Sequence, residues 1–223
     1  MSYGRTFPLW RDACAPVWQD YTRHDFVAGL GTGSLPRENF LRYLVQDYLF
    51  LIQFSRAWAL AVTKADTVAD MRACAATVQA LLSEELPLHI RICAEAGLPE
   101  PRLQQAEEAP ATLAYTRFVL AAGHAGDVLD LLAALAPCVL GYGEIGQRLS
   151  REAERDSPYR DWIDTYASPG YQQLCTDMGA LLDGVAARRL GPAPEVSPRW
   201  GDLCQTFRTA TRLEVGFWDM GLA

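Results

Sequence analysis

LLAALAPCVLGYGEIGQRL, residues 131–149, decides the fold. Steps of four and three residues along it give Leu131, Leu135, Cys138, Tyr142, Ile145 and Leu149, the stripe that a 3.6-residue turn places on one helix face. A half-buried strand would alternate with period two, and no stretch of the chain does so convincingly. Outward from this segment the same periodicity predicts helices over about 125–155, 111–123, 158–167 and 169–189. Gly191, Pro192, Ala193 and Pro194 then break the chain before a last helix over 198–221. On the N-terminal side, helices are expected over 7–23, from Pro36 to Lys64 and from Thr67 to Ala96. A Gly-rich turn is expected at 29–33, a stop at Gly97 and a loop over 98–110. No repeat and no long linker divides the chain. The reading is one all-α domain over 1–223 with seven or eight helices.

Half of the 223 residues are hydrophobic, which excludes intrinsic disorder. Net charge is −7 with no basic stripe to neutralise phosphates, so no nucleic-acid partner is expected. The opening MSYGRTFPLWRD lacks the charged-then-apolar pattern of a secretory signal. The most apolar run, 128–143, contains Asp130 and is too short to span a bilayer, so no membrane association is expected. Six scattered cysteines form no CxxC pair, and a chain of this size needs no disulfide staples. The expected setting is reducing and cytoplasmic.

Three acids lie on stripes that should face the core. Asp47 stands among Phe40, Leu44, Leu51, Phe54 and Trp58, and Glu214 among Leu203, Phe207, Ala210, Phe217 and Gly221. Glu85 belongs to the stripe Met71, Ala75, Val78, Leu82, Glu85, His89, Ile92. Burying an unpaired carboxylate costs roughly several kcal/mol, so three such positions point to a shared polar pocket. Plainer readings stand beside this one. Each acid alone could be a satisfied structural group, Glu85 and His89 could pair with each other, and Cys138 could be a small buried hydrophobe. Phe50, Phe54, Phe217 and Trp218 could be core filler. Pro137 frees a carbonyl one turn back and should kink the helix beside Cys138. His24 and His124 read as surface residues at helix ends. A thiol and two carboxyls in one pocket suit addition to an electron-poor heteroaromatic ring. The thiolate adds, a buried Glu with raised pKa protonates a ring nitrogen, an ionised Asp holds an amino substituent, and aromatic rings stack on the adduct.

Six segments, YLVQDYLFL (43–51), SEELPLH (83–89), TLAYTRF (112–118), LAPCVLGYGEIG (135–146), DWIDTY (161–166) and LEVGFWDM (213–220), resemble in order and spacing the TenA family. This is the thiaminase II or aminopyrimidine aminohydrolase group, here its cysteine-containing branch. The resemblance implies a haem-oxygenase-like helical bundle and a hydrolase of thiamin salvage. It would convert 4-amino-5-aminomethyl-2-methylpyrimidine to the 5-hydroxymethyl compound and ammonia, or cleave thiamin. The partner would be that small molecule, with no cofactor and no metal, and the assembly a homotetramer. Position by position, it makes Cys138 the nucleophile, Glu214 the acid/base, and Asp47 the holder of the pyrimidine amino edge that also helps activate the thiol. Tyr115 would contact the pyrimidine, Tyr142 and Phe217 would wall the pocket, and Tyr166 would orient Glu214. Phe50, also a substrate-binding position, stands where some members place a tyrosine, so one pocket hydroxyl is lost. Gly141 and Gly143 flank Tyr142 where bulkier residues also occur, which leaves the pocket width open. Two other readings remain: a di-iron centre on Asp47, Glu85, His89 and Glu214, and a non-catalytic pyrimidine-binding or regulatory protein. Against the first, the acid and histidine are spaced Glu-x-x-x-His, once only, and not Glu-x-x-His.

Overall fold

Asp127 and Asp130 start the central helix by capping each other's backbone. Asp127 accepts from the N–H of Leu129 at 2.8 Å, and Asp130 accepts from the N–H of Asp127 at 2.8 Å. The helix they open, Val128–Glu152, is buried on almost every side. The structure is a computed structural model that describes residues 3–223, so residues 1 and 2 of the expected 1–223 domain lie outside the described residues. In chain order the described helices are α1 (Thr6–Ala13), α2 (Ala15–Thr22), α3 (Asp25–Thr32), α4 (Arg37–Lys64), α5 (Val68–Ala80), α6 (Leu86–Glu95) and α7 (Glu100–Gln104). They continue with α8 (Pro110–Ala125), α9 (Val128–Glu152), α10 (Arg160–Ala167), α11 (Pro169–Leu190) and α12 (Trp200–Leu222). A π-helical turn, Leu81–Glu85, joins α5 to α6, and a 3₁₀ turn, Pro194–Val196, precedes α12. No strand occurs among the described residues, so the all-α expectation holds.

α9 is the hub, with α8, α10, α11 and α12 packed around it. Its 25 residues are long and apolar enough by length and composition to cross a membrane, contrary to the reading of 128–143 as too short. Because 83% of its most apolar window is covered by protein, it has the burial of a core helix. Pro137 is accommodated inside the helix and does not end it. Arg199, at the start of α12, bonds Asp127 at 2.8 Å and Asp130 at 2.9 Å, pinning the first turns of α9 and α12 together. At the other end of α12, Asn39 of α4 donates to the carbonyl of Gly221 at 2.8 Å.

Several expected boundaries are corrected. The helix read over 7–23 breaks at Cys14, because Pro16 in the first turn of α2 has no N–H to continue the ladder. The stretch 29–33 is not a turn: Gly29 and Gly31 are buried inside α3, and Gly33, at φ 71°, ends it. Pro36 lies just before α4, and the expected loop over 98–110 contains α7. With these breaks the seven or eight expected helices become twelve among the described residues.

The largest correction concerns 67–96. The buried residues of this stretch include Asp70, Cys74, Thr77, Leu81, Leu88, His89 and Cys93, whereas Met71 and Leu82 of the expected stripe are exposed. A continuous α-helix would spread Leu81, Glu85, His89 and Cys93 over about 120°, since each step of four is out of register with its 3.6-residue turn by about 40°. The π turn absorbs the offset with one extra residue.

Candidate active site

α4 lays down the first acid as its stripe predicts, with Asp47 only 3% exposed. Its neighbour Gln46 sets the depth at which α8 approaches. The Gln46 side-chain oxygen accepts from Ala109 N–H at 2.8 Å and from Thr112 Oγ1 at 2.7 Å, while its amide donates to the Glu107 carbonyl at 2.9 Å. One turn beyond Thr112, Tyr115 faces the same interior.

Two contacts converge on Asp47 Oδ2. Tyr43 donates its hydroxyl at 3.0 Å, and His89 Nε2 lies 2.8 Å away. His89 Nδ1 lies 2.7 Å from the backbone carbonyl of Glu85. A carbonyl only accepts, so Nδ1 carries hydrogen, and a second proton on Nε2 would make an imidazolium 2.8 Å from the carboxylate, although no hydrogen bond from Nε2 is aligned on it. Burial works against that cation, but the neighbouring Asp47, with Glu85 behind it, raises the His89 pKa. The expected side-chain pairing of Glu85 with His89 is therefore corrected: the imidazole ring turns to Asp47.

The Glu85 carboxyl goes elsewhere, accepting from Tyr166 Oη at 2.6 Å. This overturns the expectation that Tyr166 orients Glu214. That role falls to Tyr115, whose hydroxyl donates to Glu214 Oε1 at 2.8 Å. Gly146 of α9 explains where Tyr166 can stand: a Cβ there would lie 2.5 Å from the Tyr166 backbone, so only glycine lets α10 come so close.

Glu214 is 2% exposed, and burial pushes its pKa up to about 8, with the charge of Asp47 adding to the rise. Hydrogen bonds from Tyr115 and Cys138 pull the other way without winning. Burial likewise raises Glu85 to about 7, with His89 opposing and Asp47 reinforcing. Cys138 is half-buried on α9. Desolvation lifts its thiol well above the usual range, and the negative charges of Glu214, Glu85 and Asp47 lift it further. At neutral pH the site therefore holds a thiol and a protonated Glu214, with the Asp47–His89 contact at 2.8 Å beside them.

Aromatic rings enclose these groups. Phe50 stands 5.0 Å from Tyr115 and 5.5 Å from Phe217, centroid to centroid. The Tyr142 hydroxyl is 3.3 Å from that of Tyr43, which also receives the Trp162 indole N–H at 3.3 Å. Tyr142 packs 4.9 Å from Tyr166. The structure thus gathers Asp47, Phe50, Tyr115, Cys138, Tyr142, Glu214 and Phe217 in one interior, with Tyr166 on the adjoining wall. A cleft of about 420 Å³ reaches that wall from outside, between Leu81, Glu85, Leu88 and Arg91 on one side and Tyr166 and Tyr171 on the other.

Sequence reasoning missed Tyr43, Trp162, Gln46 and the separate role of Glu85. The run of i+4 steps from Leu81 to Cys93 was the available signal for the turn that aims Glu85. Gly141 and Gly143 do not widen the pocket. A Cβ would meet the Tyr21 ring at 2.2 Å at the first and Cys175 Sγ at 2.5 Å at the second, so their space is already filled. His24 is half-buried, not a surface residue: it caps α3 through Phe26 N–H and meets Asp219 at 3.1 Å. His124 is exposed as expected. Among the described residues, no group of three or more His, Cys, Asp or Glu side chains is arranged to hold a metal ion. Asp47, Glu85, His89 and Glu214 of the di-iron reading are each engaged by protein partners instead.

Comparison with known proteins agrees with this fold. A protein from Silicibacter sp. TM1040, described as a TenA family transcription regulator, superposes with a TM-score of 0.97 at 58% identity, covering 99% of this chain and 98% of its own. An uncharacterised protein of Haemophilus influenzae is 39% identical over 93% of this chain and 94% of its own. An aminopyrimidine aminohydrolase of Halalkalibacterium halodurans is 36% identical over 92% of this chain and 90% of its own. The TenA homologue of P. horikoshii OT3, 26% identical over 97% of each chain with a TM-score of 0.85, shares the haem-oxygenase-like helical fold. The profile of the TENA/THI-4/PQQC family matches residues 11–223, and the chain belongs to that family.

Proposed function

We propose that this chain, as one domain over 1–223, is an aminopyrimidine aminohydrolase. It converts 4-amino-5-aminomethyl-2-methylpyrimidine to the 5-hydroxymethyl compound and ammonia, and also cleaves thiamin. The observation that carries the reading is the meeting of Cys138 with a protonated Glu214, itself held by Tyr115 at 2.8 Å. The name of the Halalkalibacterium relative supports the substrate class.

The resting site holds a thiol, so the attacking anion has to form on the way to the adduct. Glu214 gives its proton to a ring nitrogen, and the carboxylate left behind takes the proton of Cys138 as sulfur bonds to ring C6. One carboxyl thereby relays a proton from sulfur to nitrogen. Asp47 holds the 4-amino group through Oδ1, because Tyr43 and His89 both take Oδ2. Phe50, Tyr115, Tyr142 and Phe217 flank the ring. The adduct is an enamine that expels the substituent of the exocyclic methylene; water then adds there and sulfur departs. A homotetramer in the cytoplasm belongs to the same proposal, and Val68, Met71 and Leu82, exposed around α5, offer apolar surface for such contacts.

Cys138→Ser tests the reading. Serine preserves the shape but ionises far less readily, so kcat on the aminomethylpyrimidine should fall by about 10³-fold or more while product binding persists. Turnover above about a tenth of wild type would refute covalent catalysis.

A further inference from the structure

Of the three interior acids, Asp47 and Glu214 have tasks in the reaction above, and Glu85 has none. Yet Glu85 is the one of the three that lines the outer cleft, together with Tyr166. The π turn swings it out of the register a plain helix would give, toward Tyr166, which holds Oε1 at 2.6 Å and leaves Oε2 for a further donor. Its backbone carbonyl fixes His89, and through His89 the carboxylate of Asp47. The Cys138 thiol feels its charge, so the carboxyl stands within electrostatic reach of the sulfur.

We infer that Glu85 is a second catalytic acid–base, dedicated to the exocyclic methylene: it protonates the departing amine and then takes a proton from the water that replaces it. The inference rests on the pyrimidine hydrolysis proposed above. In the first half the methylene C–N bond breaks, its electron pair stays on nitrogen, and the Glu85 carboxylic proton completes ammonia. In the second half a water oxygen bonds to the methylene carbon, its proton passes to the Glu85 carboxylate, and the exocyclic double-bond electrons return to the ring. Glu85 ends as it began, and the sum is amine plus water giving alcohol plus ammonia. A group that must both give and take one proton works best with its pKa near the working pH. Burial holds Glu85 at about 7, with His89 opposing the rise and Asp47 adding to it, and the cleft also carries Glu84 and Arg91 on the same side and Asp177 on the other. Glu214, more deeply buried, keeps the ring nitrogen.

Thiamin and sodium azide separate this role from a structural one. Thiamin's leaving group departs as a neutral thiazole and needs no proton, so only the water step should call on Glu85. Glu85→Gln should lower thiamin hydrolysis by about 10²–10⁴-fold without lowering the melting temperature. Azide, an anion that needs no base, should restore turnover and yield the 5-azidomethylpyrimidine. A variant within about threefold of wild type, or one that azide fails to rescue, overturns the inference. Should Glu85→Gln not fold, Tyr166→Phe gives a second reading. Losing a bond that lowers the Glu85 pKa should shift a limb of the kcat–pH profile upward, and an unmoved limb overturns the role. A wild-type protein that turns over neither pyrimidine would sink the hydrolase reading itself, which is distinct from a silent variant of an active enzyme.

Discussion

The Tyr115 hydroxyl reaches Glu214 Oε1 at 2.8 Å across 99 residues of sequence, tying α8 to α12 at the site's most buried carboxyl. This bond lowers the Glu214 pKa against the pull of burial. Tyr115→Phe should therefore move that pKa above about 8 and free the carboxyl to rotate. The alkaline limb of the kcat–pH profile should shift upward, and kcat should drop by about tenfold, the worth of one strong hydrogen bond. A limb that moves to lower pH would break this account of Glu214.

Glu214→Gln separates chemistry from stability. It cannot deliver a proton, so kcat should fall by about 10²–10⁴-fold. The fold favours the neutral acid, because the folded pKa is raised from 4.5 to about 8. That contribution is fully present below the unfolded pKa, falls as pH rises, and is lost above about 8. The melting temperature of the variant relative to wild type should thus climb between those two pH values. A flat difference across the range, with normal kcat, would return Glu214 to the satisfied core acids.

Asp47→Asn keeps a group that can accept from Tyr43 but removes the charge facing both His89 and the amino edge of a pyrimidine. Binding of the hydroxymethyl product should weaken by about tenfold or more, the worth of a charged hydrogen bond. The variant should also melt earlier, since His89 is left without its anion. Calorimetric titration at matched pH checks the first effect, and an unchanged dissociation constant would remove Asp47 from the ligand.

Gly141→Ala should destabilise by about 1–3 kcal/mol through overpacking. The new Cβ would stand 2.2 Å from the Tyr21 ring, and Tyr21 is fully buried with no open side to retreat to. Urea unfolding of Gly141→Ala alone and with Tyr21→Leu measures this. Relief in the double variant is the expected sign, and an unaffected single variant would show that the two helices can slide apart.

The sequence made the fold legible where one helix face is buried and the other wet. α4 and α12 place every residue of their stripes inside, Asp47 and Glu214 included. α9 was legible for another reason: it is apolar almost all round, so its stripe hardly mattered. α5 and α6 were misread because periodicity assumes 3.6 residues per turn and the chain departs from that value at 81–85. The resemblance named residues that gather here but not how they pair. Tyr115 and Tyr166 are both phenols on neighbouring walls, and only coordinates assign one to Glu214 and the other to Glu85. The Gln46 clamp on α8 left no trace in pattern, since a polar side chain satisfied by distant backbone looks like any surface glutamine.

The π turn also makes this protein unusually sensitive to the length of its own gene. Deleting one codon among 81–85 would let α5 and α6 fuse into an ordinary α-helix with every backbone hydrogen bond in place. Everything after the deletion would then rotate by about 100° relative to everything before it. With α5 docked, Glu85 and His89 would swing away from Tyr166 and Asp47; with α6 docked, Asp70 and Cys74 would lose their seats instead. A shorter reading frame could thus encode a regular bundle with a scrambled interior. Leu82, Ser83 and Glu84 are exposed, so it is the number of residues between Leu81 and Glu85, more than their side chains, that holds the interior in register.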